Sequence, residues 1–117
     1  MPERSRAQNL RRGELLFNRQ KFFESHEALE EAWKKTQGPK KLLLQGFIQS
    51  AAAFHKLKLG SPEGAIKLLK RSLIKLERGD STPLANFTRR IGQCLKDIEA
   101  GVFDWKTVPR MELKRMI

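Results

Sequence analysis

Two ionisable side chains stand on what reads as an apolar helical face. The segment Phe22-Phe23-Glu24-Ser25-His26-Glu27-Ala28-Leu29-Glu30-Glu31-Ala32-Trp33 advances about 100° per residue if helical. That places Phe22, Phe23, His26, Leu29, Glu30 and Trp33 on one side, Glu24 and Glu31 opposite, and Glu27 at the margin. His26 and Glu30 are four apart, so their side chains can meet. Burying either one alone would cost several kcal/mol or shift its pKa, so the spacing predicts partners on the neighbouring helices. Gln45 and Gln49, also four apart, form a polar notch on an otherwise apolar segment, and His55 follows further along it. His26, Glu27, Glu30, Gln45, Gln49 and His55 are therefore the candidate polar cluster.

Three kinds of chemistry suit that set. The first is a buried hydrogen-bonded cluster that fixes helix register or holds a ligand, with His26 at the centre because it can both donate and accept. The second is a nitrogen/oxygen metal site, with His26, Glu30 and His55 as candidate ligands. The third is a metal-assisted or general-base hydrolase, with Glu27 or Glu30 as base. No complete metal motif is present. His26-Glu27-x-x-Glu30 lacks the second histidine of a zincin helix, and Phe23 occupies the position of the Glu in a Glu-x-x-His di-metal bundle. No cofactor is required by the sequence.

The elements that must position these residues read as helices. Gly38-Pro39 and Gly60-Ser61-Pro62 interrupt the helical pattern, and Ser61 can cap a helix with Pro62 in its first turn. Asp80-Ser81-Thr82-Pro83 repeats that cap-then-proline signature, and Gly101 closes the segment it opens. Helices are predicted over about 4–18, 22–36, 40–59, 62–79 and 83–100. Short connections favour antiparallel neighbours. The fold expected is all-α, a compact bundle in a single domain over 1–100, followed by a 101–117 tail in which Pro109 opens a short helical turn. The run from Leu42 to Phe54 is apolar nearly all round, so the third helix should be the buried centre. The fourth should bury Ala65, Leu68, Leu69, Leu73 and Leu76, and the fifth Leu84, Phe87, Ile91, Cys94, Leu95 and Ile98. Cys94 then reads as a small core residue.

The residues quoted above also carry a family likeness. Phe17-Asn18, then Phe22-Phe23-Glu24-Ser25-His26-Glu27-x-Leu29-Glu30-x-x-Trp33, resembles the signature of the domain-of-unknown-function family 309. Gln45-Gly46-Phe47-Ile48-Gln49-x-Ala51-Ala52 with His55 is similar to its second block, and Gly60 with Gly64-Ala65-x-x-Leu68-Leu69 to its third. The resemblance covers about residues 10–78. It implies a small helical bundle and assigns no activity. It marks Glu24, His26, Glu27, Glu30, Gln45, Gln49 and, more loosely, His55 as family-typical polar positions. Two turns depart from the pattern: Gln20 and Ser61 replace a usual Gly and Asn.

Charge is the loudest feature of the composition. Lys and Arg total 24 against 13 acids, a net charge of +11. Glu24, Glu27, Glu30 and Glu31 crowd into one helix, so the remaining surface is more basic still. Lys67, Lys70, Arg71, Lys75 and Arg78 form a cationic stripe on the fourth helix, a candidate contact for nucleic acid or an acidic protein. No nucleic-acid module is recognisable: there is no helix-turn-helix pattern, no RNP-like strand, no zinc finger and no Tyr. One cysteine excludes a disulfide framework and multi-cysteine zinc modules. No apolar run approaches the ~20 residues of a membrane span, and the N-terminus lacks a secretory signal. A cytoplasmic protein is expected, or a stromal one if the source has plastids.

Overall fold

A computed structural model describes residues 2–79 and 82–117. Five α-helices carry the described chain: α1 (Arg6–Asn18), α2 (Phe22–Lys34), α3 (Pro39–Lys58), α4 (Pro62–Leu76) and α5 (Thr82–Ala100). Two 3-10 turns follow at Trp105–Thr107 and Lys114–Met116, and no strand occurs among the described residues. The all-α expectation holds, with boundaries within a few residues of those predicted.

Local chemistry explains the boundaries. Ser5 starts α1 through a capping box: its hydroxyl accepts from the Gln8 amide at 3.1 Å, and Gln8 Oε1 accepts from the Ser5 amide at 2.7 Å. Ser61 caps α4 as read, accepting from the Gly64 amide at 3.3 Å. The capping role read for Asp80 and Ser81 lies outside the described residues. Three helices end alike, with one residue in the left-handed conformation and the next amide bonding five residues back. Gly60 and Gly101 take that place after α3 and α5. After α1 it is Gln20, at φ 59°. Gln20 thus makes the same turn that the two glycines make. Gln20 is held there by its Nε2, which donates to the Trp105 carbonyl at 3.0 Å.

α3 is the central helix, packed between α2 and α4, while α1 packs on α2 and α5 on α4. Its buried residues, including Leu44, Phe47, Ala51, Ala53 and Phe54, point to several neighbours at once. The core is aromatic at one end. Phe17 meets Phe22 edge-on at 5.2 Å and lies 6.1 Å and 6.0 Å from Phe54 and Phe87. Trp105, which fits no helical pattern, stacks on Phe22 at 6.0 Å, and Lys58 sits 5.3 Å from both rings.

The tail differs from its reading. Pro109 opens no helical turn; it lies buried in an extended stretch that straps across α1. The Met111 amide donates to Asn18 Oδ1 at 2.7 Å, and Asn18 Nδ2 donates to the Met111 carbonyl at 3.0 Å. The Leu113 amide donates to Glu14 Oε1 at 2.6 Å, and Arg6 donates to the Met116 carbonyl. Met111, Leu113 and Met116 are buried. The stretch is not helical, and its backbone groups are satisfied by side chains of α1 instead.

Candidate functional site

α2 is turned relative to its predicted orientation. Its buried residues are Phe22, Ser25, Ala28, Leu29 and Ala32, whereas Phe23 is exposed and Trp33 half-buried. The small residues decide this. Ser25 donates to the Gly13 carbonyl at 2.7 Å. A Cβ on Gly13 would fall 2.3 Å from Leu29 Cδ2, so any larger residue would force the buried Leu29 side chain to move. Small side chains let the two backbones close, and α2 rotates to present them. The polar cluster is therefore not buried, contrary to expectation. His26 and Glu30 do pair, Nε2 to Oε1 at 3.0 Å, but their side chains are 26% and 49% exposed.

What forms instead is an open groove of about 360 Å³. α2 supplies His26, Glu30, Trp33 and Lys34; α3 supplies Gln45, Ile48, Gln49 and Ala52; α4 supplies Leu68. Ile48, Ala52 and Leu68 give it apolar surface, and the His26–Glu30 pair faces the two amides. Gln49 is already oriented, because its Oε1 accepts from Lys75 Nζ at 2.9 Å. Trp33 is fixed by its Nε1 donating to the Lys41 carbonyl at 3.1 Å, with the Lys41 ammonium 4.1 Å from the ring. A partly exposed i,i+4 pair adds only about 0.3–0.5 kcal/mol. Glu30→Ala should accordingly lower unfolding stability by no more than about 0.5 kcal/mol in a urea melt. A loss of several kcal/mol would mean that the pair is sealed from water.

Two candidates fall outside the groove. Glu27 is exposed on α2. His55 lies beyond Phe23, whose ring is 5.0 Å from His55 and 6.4 Å from His26. Among the described residues no three His, Cys, Asp or Glu side chains converge to hold a metal ion, so the His26, Glu30, His55 ligand set is not assembled. The cationic stripe is divided as well. Lys70 turns toward α5, where its Nζ lies 3.8 Å from Glu99. Lys67, Arg71 and Arg78 are exposed, and Lys75 is half-buried. Burial lowers the Lys75 pKa from its ordinary value, and Arg71 and Arg78 add to that effect.

Sequence reading missed a second polar contact, between α3 and α4. The Ser50 and Ser72 hydroxyls lie 2.7 Å apart, and Ser72 donates to the Gly46 carbonyl at 2.7 Å. All three residues are buried. Their signal was a serine on each apolar face, opposite a glycine. Cys94 is buried as read, and burial raises its thiol pKa from the ordinary 9.0, with a hydrogen bond to Thr107 pulling the other way. The sign follows from linkage. A native pKa above the unfolded one gives stability that is complete below 9.0 and is lost as pH rises through the native value. Urea melts on either side of 9.0 should show a smaller decline for Cys94→Ala than for wild type; equal declines would contradict a protected thiol.

The bundle and groove define a class of small helical proteins, and comparison with known proteins gives the class its family. The family described as "Domain of unknown function (DUF309)" matches residues 10–68, which include α2 and all of α3. The chain belongs to this family. It is also similar to an uncharacterized protein of Aquifex aeolicus (strain VF5), 30% identical over 71 residues, which are 60% of this chain and 21% of that protein. The match thus spans about a fifth of the relative's length. No solved structure matches the chain. No described helix is long and apolar enough to cross a membrane.

Proposed function

We propose that the groove between α2, α3 and α4 is a ligand-binding site. The observation that carries this reading is the convergence of the His26–Glu30 pair, Gln45 and Gln49 beside the apolar surface of Ile48, Ala52 and Leu68. Apolar lining with a few convergent polar groups is the usual make-up of a small-molecule site. A half-exposed polar set contributes little to stability, so structure alone does not account for it. Gln49, held through its oxygen by Lys75, presents its amide donors, while the His26–Glu30 pair supplies donor and acceptor together.

The test is titration of ¹⁵N-labelled protein with a library of small polar heterocycles. Amide shifts confined to residues around Gln45, Gln49 and His26, and lost in Gln49→Ala without a change in melting temperature, would support the reading. Absence of any groove-centred shift, or a Gln49→Ala protein destabilised by more than about 2 kcal/mol, would return the cluster to a structural role.

A further inference from the structure

Most cations among the described residues are left without acids. Among the described residues, Lys34, Lys35 and Lys70 are the Lys or Arg side chains that form ion pairs, out of 24 in the chain. Lys67, Arg71 and Lys75 follow one another by four residues along the side of α4 that carries Leu68, and Arg78 follows three residues later, in the turn past the helix end at Leu76. Each four-residue step along the helix advances about 6 Å. Lys75 reaches over the groove to Gln49. α4 thus forms a cationic wall.

The opposite side is of another kind. Phe23 is 46% exposed, and its ring lies 6.4 Å from His26 and 5.0 Å from His55. α2 carries most of the acids near the groove: Glu24, Glu27 and Glu31 face solvent and Glu30 is engaged by His26, whereas the cationic stripe has Glu63 and Glu77 at its ends. A polyanion is repelled from α2 and attracted to α4. A ligand with one anionic edge and one aromatic edge fits both walls.

We propose that a single strand of nucleic acid lies over the groove and past its end, its phosphates along Lys67, Arg71, Lys75 and Arg78 on the rim and its bases over His26 in the groove and over Phe23 and His55 beyond it. This rests on reading the groove as a ligand site and names the ligand's chemistry. Aromatic platforms beside a basic track are how sequence-tolerant single-strand binding works. A duplex keeps its bases stacked internally and leaves Phe23 unused. An acidic peptide would engage the cations and leave the rings idle.

Fluorescence anisotropy with a short fluorescein-labelled single-stranded oligonucleotide of mixed sequence tests this. Four phosphate contacts should give a slope of log affinity against log salt of about −3. Lys67→Glu/Arg71→Glu should weaken binding about tenfold or more, and Arg11→Glu/Arg12→Glu, with the same charge change on α1, far less. Phe23→Ala, at an exposed position, should weaken it about fivefold or more while the circular-dichroism melt is unchanged. Equal loss from the two charge reversals would overturn the assigned track. Wild-type affinity in Phe23→Ala, with polyglutamate or the matching duplex bound as tightly, would overturn the nucleic-acid assignment. Heterocycles that shift groove amides in a protein that ignores the oligonucleotide would overturn this inference alone; silence from both would remove the groove reading too.

Discussion

Leu113→Ala should destabilise the protein by about 2–5 kcal/mol, and ending the chain at Val108 should cost more. Leu113 is 1% exposed, and Met111 and Met116 are buried beside it. Each such side chain contributes about 1.5–3 kcal/mol by leaving water. The strap is also bonded to α1 through Asn18 and Glu14, so its removal would leave those two side chains without these partners. Whole-domain stabilities are about 5–15 kcal/mol, so the truncated chain should melt far lower or remain unfolded. Asn18→Ala separates bonding from burial, because it removes two hydrogen bonds and keeps the apolar anchors. It should cost about 1–3 kcal/mol. A Val108-terminated chain with the full-length melting temperature would show that the strap does not dock in solution.

Phe17→Ala should be as damaging, about 3–5 kcal/mol in a denaturant melt, and Phe23→Ala nearly neutral. Phe17 is 1% exposed and touches rings contributed by α2, α3 and α5. Its loss leaves a cavity where several elements meet, and no neighbouring backbone can close it without breaking another contact. Phe23 is exposed against two histidines, so alanine there removes contacts already shared with water. The contrast tests the orientation of α2 directly. If Phe23→Ala cost as much as Phe17→Ala, Phe23 would be a core residue and the predicted wheel would be right after all.

That orientation also shows how far the sequence could be read. Every α-helix was legible from apolar spacing, glycine-proline punctuation and caps. The facing of α5 was legible too, and that of α4 in part: Ala65, Leu69 and Leu76 are buried as read, whereas Leu68 and Leu73 are only half-buried. α2 misled because its large side chains, Phe23 and Trp33, are not its most buried ones. Ser25, Ala28 and Ala32 carry little hydropathy, yet they set the packing by letting α1 come close at Gly13. The pairing of His26 with Glu30 followed from spacing alone. Its exposure did not, since exposure depends on a rotation that spacing does not encode. The strap was illegible for another reason. An extended segment has no helical period, and Met111, Leu113 and Met116 find their places only once α1 exists to receive them.

The strap joins segments separated by 93 to 110 positions in the chain. A ribosome makes α1 first and the strap long afterwards, at about 5–20 residues per second. For those seconds α1 and α2 can pair, but the apolar surface awaiting Met111, Leu113 and Met116 stays open. Native closure of the bundle therefore waits until the strap itself has been made and has cleared the ribosome.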